Sequence, residues 1–428
     1  MKYIKSDYEV FELELKSYPF PCKLCKKEQA IIEIPSQKIK VCKDCYNQFF
    51  ENRIKKAIES YKMFKTYDKI GVFLSGGKDS ATLLAVLKKL YPEVALQGIY
   101  INLGIRYYSD KAEEVVIKLC KKLNVPLYIY NLPKEENFRI DDFIFTYFKN
   151  KICSVCGAIK RYLFSKIAKN LGLTVIATGH HLDDTVSTML NLFFQGDFES
   201  LVKLEPVLKP LYTGQATKIK PLYTTPEKEI FFYAVLNELP IVNFVCPHAD
   251  FTSIKKKKKF LEDLSKENRQ IKYQLLSVFL KKLIPLIKSH PQYKEKLVQP
   301  VNICIKCGEA TSSSDQICSR CKRIALLNKV SDKTLELSYQ EFLKYVEKLD
   351  KEKIAIFVVN EETDIFPNAI YISSEFLNVS KRKFLKFFKP YKDKILFFYS
   401  SDPKQSYLFV LKLKKAGFKV FNIKSVSF

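Results

Sequence analysis

The sequence predicts an α/β protein built on one parallel β-sheet, with a small cysteine-based element on either side of the sheet domain and a second, smaller α/β unit at the C-terminus. Three observations carry this. Short apolar runs alternate with helical periods through residues 66–250. Ten of the twelve cysteines form five Cys-x-x-Cys pairs, four of them outside that stretch. Residues 332–428 hold no cysteine and repeat the strand–helix alternation on a smaller scale.

The totals fit this division. A chain of 428 residues with 47% hydrophobic and 28% charged residues folds, and is long enough for two or three domains. The net charge of +26 attracts polyanions, of which a phosphate backbone is the commonest, although a Lys-rich surface also serves solubility. No stretch approaches the roughly 20 apolar residues of a membrane span, and Met1-Lys-Tyr-Ile-Lys-Ser opens without a signal-peptide apolar region. The expectation is a cytoplasmic protein with no membrane partner, in which paired cysteines hold metal rather than disulfides.

Taken in order, residues 1–50 carry Cys22/Cys25 and Cys42/Cys45, and a helix with Ile54, Ile58 and Met63 on one face follows. Residues 51–300 form the main domain. Lys69–Leu74 is an apolar run entering a glycine turn, as a buried parallel strand does, and Asp79–Leu90 has helical period. Ala95–Ile101, Pro126–Tyr130 and Leu173–Thr178 read as further strands, with a helix over Ala112–Leu123 and another over Ala158–Leu171. Cys120, beside Leu119 and Leu123, reads as core. Residues 251–300 are helical and basic, densest at Lys255–Lys259, either a solvated face or a phosphate-contacting stretch. Residues 301–328 hold Cys304/Cys307 and Cys318/Cys321. In the tail, strands are expected near Ile354–Val359 and Ile395–Tyr399.

The flanking cysteines are the simplest chemistry. Cys22, Cys25, Cys42 and Cys45, and again Cys304, Cys307, Cys318 and Cys321, supply four soft thiolates at the spacing of a closed tetrahedral Zn²⁺ site. With no open position, such an ion organises a fold and does no chemistry. Two such zinc sites are expected, with the basic residues Lys23, Lys43, Lys306, Arg320 and Lys322 beside the ligands.

After the first strand comes Ser75-Gly76-Gly77-Lys78-Asp79-Ser80 and then a helix. Glycines let backbone approach phosphate oxygens, and the free N–H groups and dipole of the helix favour an anion there. Ser75 and Ser80 donate hydroxyl hydrogen bonds and Lys78 a point charge. The pattern is not that of Walker A. Downstream, Cys153-Ser-Val-Cys156 can grip a metal or form a redox disulfide, and Cys246-Pro247 stands alone. Asp183 and Asp184 either hold Mg²⁺ or accept a proton, or simply suit the N-terminus of a helix. Lys160 on its own reads as a solvated helix lysine.

Ser75–Ser80 resembles the pyrophosphate loop of the N-type ATP pyrophosphatase (PP-loop) superfamily. Its members cleave ATP between the α and β phosphates and adenylate a substrate oxygen. Within it the chain is similar to the tRNA 2-thiouridine synthetases, the group of T-loop and wobble-uridine thiolases. The similarity covers roughly residues 15–325, through Cys153-x-x-Cys156-Gly-x-x-Lys160, Gly179-His-His-Leu-Asp-Asp184, Lys220-Pro-Leu-Tyr-Thr-Thr-Pro-Glu-Lys-Glu229 and Cys246-Pro247. The resemblance implies that Cys153, Cys156 and Cys246 hold one 4Fe–4S cluster whose fourth iron is open to a sulfur atom. It makes Lys160, Asp184, Cys153 and Cys156 catalytic candidates, and places Asn102–Ile105 near the nucleotide. It also implies zinc ribbons that help with tRNA. His181 stands where the group often has Asn. The tail resembles a rhodanese domain in which Ser400 occupies the place of the persulfide-carrying Cys, so it carries no persulfide itself and serves as a docking module or as packing.

The expected reaction is ATP-dependent 2-thiolation of a tRNA uridine, with ATP, Mg²⁺, two Zn²⁺ and one 4Fe–4S cluster as cofactors. The uracil O2 becomes adenylated and a sulfur then displaces AMP. The sulfur donor is a ubiquitin-like sulfur carrier or sulfide, and a homodimer is compatible with the reading. Cytidine 2-thiolation or another PP-loop adenylation of tRNA is the alternative within enzymes. Outside them it is a non-catalytic zinc-containing RNA-binding protein.

Overall fold

A computed structural model describes residues 15, 17–210, 214–249, 253–293, 302–311, 313–361 and 363–424, with side chains of the helix opening at Ser253 described from Lys258 onward. The chain divides into two compact units, Met1–Asn137 with Gly157–Ser319, and Phe138–Cys156 with Arg320–Phe428.

The first unit begins with a short antiparallel hairpin, β1 (Ile32–Ile34) and β2 (Ile39–Val41), followed by helix α1 (Lys43–Ser60). Then come β3 (Lys69–Leu74), α2 (Lys78–Leu90), β4 (Ala95–Asn102), α3 (Ser109–Leu123) and β5 (Leu127–Asn131). Helix α4 (Ile152–Asn170) leads to β6 (Val175–Ala177), α5 (Leu182–Gln195), β7 (Val207–Leu208), β8 (Thr217–Ile219) and α6 (Glu227–Leu236). Helices α7 (Ser253–Glu267) and α8 (Ile271–Val278) follow, then the hairpin β9 (Asn302–Ile303) and β10 (Ala310–Thr311).

The six-stranded sheet has the order β5-β4-β3-β6-β8-β7, parallel except for the edge pair β7–β8. In β3 every residue from Ile70 to Leu74 is buried, which is why it reads as an unbroken apolar run rather than an alternation. The chain runs outward through β4 and β5, then returns to the other side of β3 with β6. The strand order therefore reverses at β3, and a crevice opens at the carboxyl ends of β3 and β6, where open α/β sheets bind ligands. Cys120 is core as expected: it is buried, burial pushes its thiol up to about 11, and a Cβ at Gly98 would come within 2.9 Å of its sulfur.

One helix differs from the sequence expectation. The helix expected from Ala158 starts at Ile152 and so carries both Cys153 and Cys156 in its first turns. Its apolar stripe begins with Ile152 and Val155, both buried, in step with Ile159 and Leu163. The polar Cys-Ser pair between them masks that start in the sequence.

The second unit contains α9 (Ser319–Leu327) from Arg320 onward, then β11 (Glu336–Leu337), α10 (Tyr339–Val346), β12 (Ile354–Val359) and β13 (Ile370–Ile372). Helix α11 (Lys381–Phe388), β14 (Ile395–Tyr399), α12 (Pro403–Lys415) and β15 (Lys419–Ile423) complete it. Its five strands are all parallel, in the order β11-β15-β14-β12-β13. The two strands expected for the tail are the central β12 and β14. On one face of the sheet Phe357 stacks on Phe398 with ring centres 4.9 Å apart, and Phe398 on Phe409 at 5.4 Å. Ser400 is buried and donates its hydroxyl to the Val359 carbonyl at 3.2 Å.

Candidate active site at the glycine loop

Strand β3 ends at Leu74 and α2 starts at Lys78, so the loop and the first N–H groups of α2 lie at the carboxyl end of β3, where the crevice opens. The loop is braced from within. Ser80 Oγ accepts from the Ser75 N–H at 3.1 Å and donates to the Gly77 carbonyl at 3.2 Å, and Ser75 Oγ accepts from the Gly77 N–H at 3.3 Å. Gly76 has φ +81, and a Cβ there would meet Val242 Cγ1 at 3.1 Å, so the position needs glycine both for conformation and for space. Gly179 needs it for approach: a Cβ would stand 3.0 Å from the backbone of Asp79 and Ser80. This close contact brings the turn after β6, and with it His181 and α5, against the loop.

Around the loop lies a cage of alternating charges. Lys78 Nζ is 2.7 Å from Glu227 Oε1 and 3.1 Å from Asp79 Oδ1. His181, only 1% exposed, places Nε2 3.1 Å from Asp184 Oδ2, 3.7 Å from Glu227 Oε2 and 4.0 Å from Asp79 Oδ1. Burial alone would keep this imidazole neutral, but the surrounding Asp184, Asp183, Asp79 and Glu227 carboxylates outweigh it and raise its pKa to about 9. Lys258 Nζ closes the cage, 2.6 Å from Asp184 Oδ1 and 3.2 Å from Glu227 Oε2. Burial opposes charge on Asp184 and Glu227 too, yet His181 and Lys258 hold the first low, and Lys78, His181 and Lys258 the second. Asp79, His181 and Glu227 each bring an atom within 4.8 Å of the others; with the imidazole protonated, the two carboxylates are the donors that suit a hard divalent cation.

Asp183 has a different task. Its Oδ2 accepts the Glu227 N–H at 2.7 Å, satisfying a free donor at the start of α6, and its Oδ1 pairs with Lys272 of α8 at 2.6 Å. It is spent on holding helices together. Lys220 likewise donates to the Leu204 and Glu205 carbonyls at 3.0 Å, and burial pulls its pKa down to about 8. Asn102 spends its amide on Asp110 and Glu113, both at 2.8 Å.

The sequence-derived candidates fall into two sets. Ser75 to Ser80 and Asp184 gather with His181 and Glu227 in one place. Lys160 is half-buried on α4, one turn past Cys156, and forms no ion pair among the described residues. Cys153 is exposed and Cys156 half-buried. Cys246 is half-buried, and four residues before it Val242 donates its N–H to the Gly76 carbonyl at 2.9 Å, so the segment bearing this cysteine is fastened to the loop. Glu227 lies within the Lys220–Glu229 motif, but nothing in the sequence marks it, or Lys272, as part of the site. Lys258 was expected only as part of the basic run Lys255–Lys259, solvated or contacting phosphate. Of that run, Lys259 is exposed, Lys258 turns inward, and the side chains of Lys255 to Lys257 lie outside the described residues.

Both cysteine foursomes form: within each, the four sulfurs lie within 4.8 Å of one another, close enough for one ion. Their first knuckles share one geometry. Cys22 and Cys304 each accept at the carbonyl from the residue four further on, Lys26 at 2.9 Å and Gly308 at 2.8 Å, and both of those residues are left-handed, with φ 58 and 73. Backbone N–H groups aimed at Cys22 outweigh its burial and draw its thiol down to about 6, which suits a thiolate ligand. The N-terminal ribbon is tied to the site domain through Glu229 of α6. Glu229 pairs with Arg53 of α1 and accepts the Ser36 N–H at 3.2 Å, while its carbonyl accepts the Tyr46 hydroxyl at 2.8 Å.

A PP-loop domain family matches residues 46–245. The chain is 34% identical to the tRNA-5-methyluridine(54) 2-sulfurtransferase of Pyrococcus horikoshii over 75% of this chain and 99% of that one. It is 33% identical to the protein of the same name from Thermotoga maritima, over 73% of this chain and 99% of that one. Among solved structures, the U34-tRNA thiolase of Methanococcus maripaludis, determined with its 4Fe–4S cluster, shares the fold with a TM-score of 0.60 at 23% identity, over 71% of this chain and 95% of that one. With its glycine loop, parallel sheet and paired cysteine ribbons, the chain belongs to the tRNA 2-thiolation group of the PP-loop superfamily.

Proposed function

We propose that the protein uses ATP to place sulfur on C2 of a tRNA uridine. The observation that carries this is the cage of Lys78, Asp79, His181, Asp184, Glu227 and Lys258 closed around a Ser-Gly-Gly-Lys-Asp-Ser loop. ATP is the substrate whose phosphates fit the glycine loop and the first N–H groups of α2, with Lys78 as counter-charge. Asp79, Asp184 and Glu227 are the residues that would hold Mg²⁺. The uracil O2 attacks the α-phosphorus and pyrophosphate leaves with the bonding electrons. A sulfur nucleophile then attacks C2 and AMP leaves. The loop N–H groups and Lys78 stabilise the negative charge that develops at phosphorus.

Cys153, Cys156 and Cys246 are the proposed ligands of a 4Fe–4S cluster. Three cysteines outside the two closed foursomes supply the thiolate chemistry that such a group takes, and when bound it would supply an iron open to sulfur. Lys160, a turn beyond Cys156, is proposed to face the reacting base. The two foursomes hold one Zn²⁺ each. The T-loop uridine is the favoured target, because the two relatives above are named for position 54. The protein is read as cytoplasmic, and no helix among the described residues is long and apolar enough to cross a membrane.

The test is incubation of the purified protein with ATP, Mg²⁺, sulfide and unmodified tRNA under anaerobic conditions. Expected are AMP and 2-thiouridine in equal amounts, mapped by nucleoside mass spectrometry, with both lost in Cys246→Ala while ATP binding persists. Thiolated cytidine, or tRNA binding without AMP, would overturn the reading.

A further inference from the structure

The stretch Phe138–Cys156 lies between β5 and the body of α4 in sequence, yet it folds as part of the second unit, with the C-terminal module. It consists of two short 3₁₀ turns, Ile140–Phe145 and Tyr147–Asn150, and the start of α4 with Cys153 and Cys156. Asp141 sits in the first turn with 0% exposure, and its Oδ2 accepts the hydroxyl of Tyr407, also 0% exposed, at 2.9 Å. The carboxylate and the phenol are 266 residues apart in the chain. Two cations grip the same stretch from the module: Lys414 Nζ lies 5.0 Å from the ring centre of Phe145, and the Arg323 guanidinium 5.2 Å from that of Phe148. Arg323 also reaches Ser154 Oγ, between the two cysteines, at 3.5 Å.

We propose that the C-terminal module is the scaffold of the central cysteine pair, with Tyr407 and Asp141 as its positioning residues. The module thus acts on sulfur chemistry without a thiol of its own. A hydrogen bond to a buried carboxylate is among the stronger ones, and losing the donor leaves the carboxylate with one partner fewer where water does not reach. The two 3₁₀ turns are held locally, with the Arg139 N–H on Asp142 Oδ2 and the Thr146 hydroxyl on the Phe143 carbonyl, both at 2.8 Å, but these bonds fix the shape of the turns and not their place on the module, which falls to Tyr407 and the two cations. Cys153 and Cys156 follow Asp141 by 12 and 15 residues, so the spread of positions open to both sulfurs depends on this anchor. The proposal rests on the reading that these cysteines ligate an iron–sulfur cluster.

The experiment compares full-length wild type with Tyr407→Phe, which removes only the hydroxyl, and Asp141→Asn, which keeps an acceptor. Three quantities are read: hydrogen exchange over residues 139–151, iron loss to a chelator followed by cluster absorbance, and peptide-resolved alkylation of Cys153 and Cys156 in iron-free, zinc-loaded protein. Expected for Tyr407→Phe are exchange and iron loss faster by about tenfold, with ATP affinity and zinc content unchanged, and a smaller effect in Asp141→Asn. Faster exchange with wild-type iron retention and alkylation would reduce the module to packing and overturn the proposal, as would unchanged exchange. If wild type takes up no iron, the cluster reading fails, and alkylation alone decides: equal rates in wild type and Tyr407→Phe overturn the scaffold.

Discussion

Lys258 Nζ lies 2.6 Å from a carboxylate oxygen of Asp184, so an amine from the chain's most basic run sits where a metal-bound nucleotide is proposed to bind. Asp184 and Glu227 are thereby neutralised from inside the protein. Replacing Lys258 with Met, which keeps the stem and removes the charge, leaves both carboxylates short of a partner. Mg²⁺ should bind the nucleotide-free variant about tenfold more tightly, read by titration calorimetry. Unchanged affinity would place the metal elsewhere.

His181 gives the site a pH signature. Its folded pKa of about 9 stands above the ordinary value of 6.5. The imidazolium therefore contributes stability that is fully present below about pH 6.5 and is lost as pH rises through about 9. The shift corresponds to roughly 3 kcal/mol. Urea midpoints of the wild type should fall across that window, and His181→Asn should flatten the fall. Parallel curves for the two proteins would mean that the cage titrates through another group.

Ser80→Ala removes the hydroxyl that ties Ser75 to Gly77, and Asp79→Ala removes a proposed metal ligand. Each should cut AMP formation by about 100-fold while far-UV dichroism and both zinc sites stay intact. Wild-type AMP yields from either protein would refute the loop assignment.

Protein purified without added metal should contain two zinc ions per chain. Cys22→Ser and Cys304→Ser should each remove one, because each foursome closes its own site with sulfurs within 4.8 Å. Elemental analysis showing equal zinc in wild type and both variants would sink the assignment.

The parallel sheet and the glycine loop were legible because their signals are local. A strand buried on both faces, such as β3, must be apolar throughout, and a loop that wraps phosphate needs glycine and hydroxyl residues in a fixed order. Both ribbons were legible for the same reason, since thiolate spacing is a local constraint. Lys258 was not: in a run of five lysines nothing marks Lys258 as a side chain that turns toward Asp184, because that depends on how α7 lies along α5. Glu227 and His181 draw their roles from partners across the fold. Asp141 and Tyr407 belong to no motif at all, and only the folded chain brings them within a hydrogen bond.

Helix α6 presents Glu227 to the glycine loop and, two residues later, Glu229 to the N-terminal ribbon through Arg53, Ser36 and Tyr46. An ion pair this buried costs about 3–5 kcal/mol when one partner leaves. On the proposed roles, a zinc ion remote from the nucleotide would set the durability of a carboxylate that holds Mg²⁺. Under heat or a strong chelator the molecule should fail from behind: the ribbon loosens, the first turn of α6 slackens, and turnover stops while the sheet still stands.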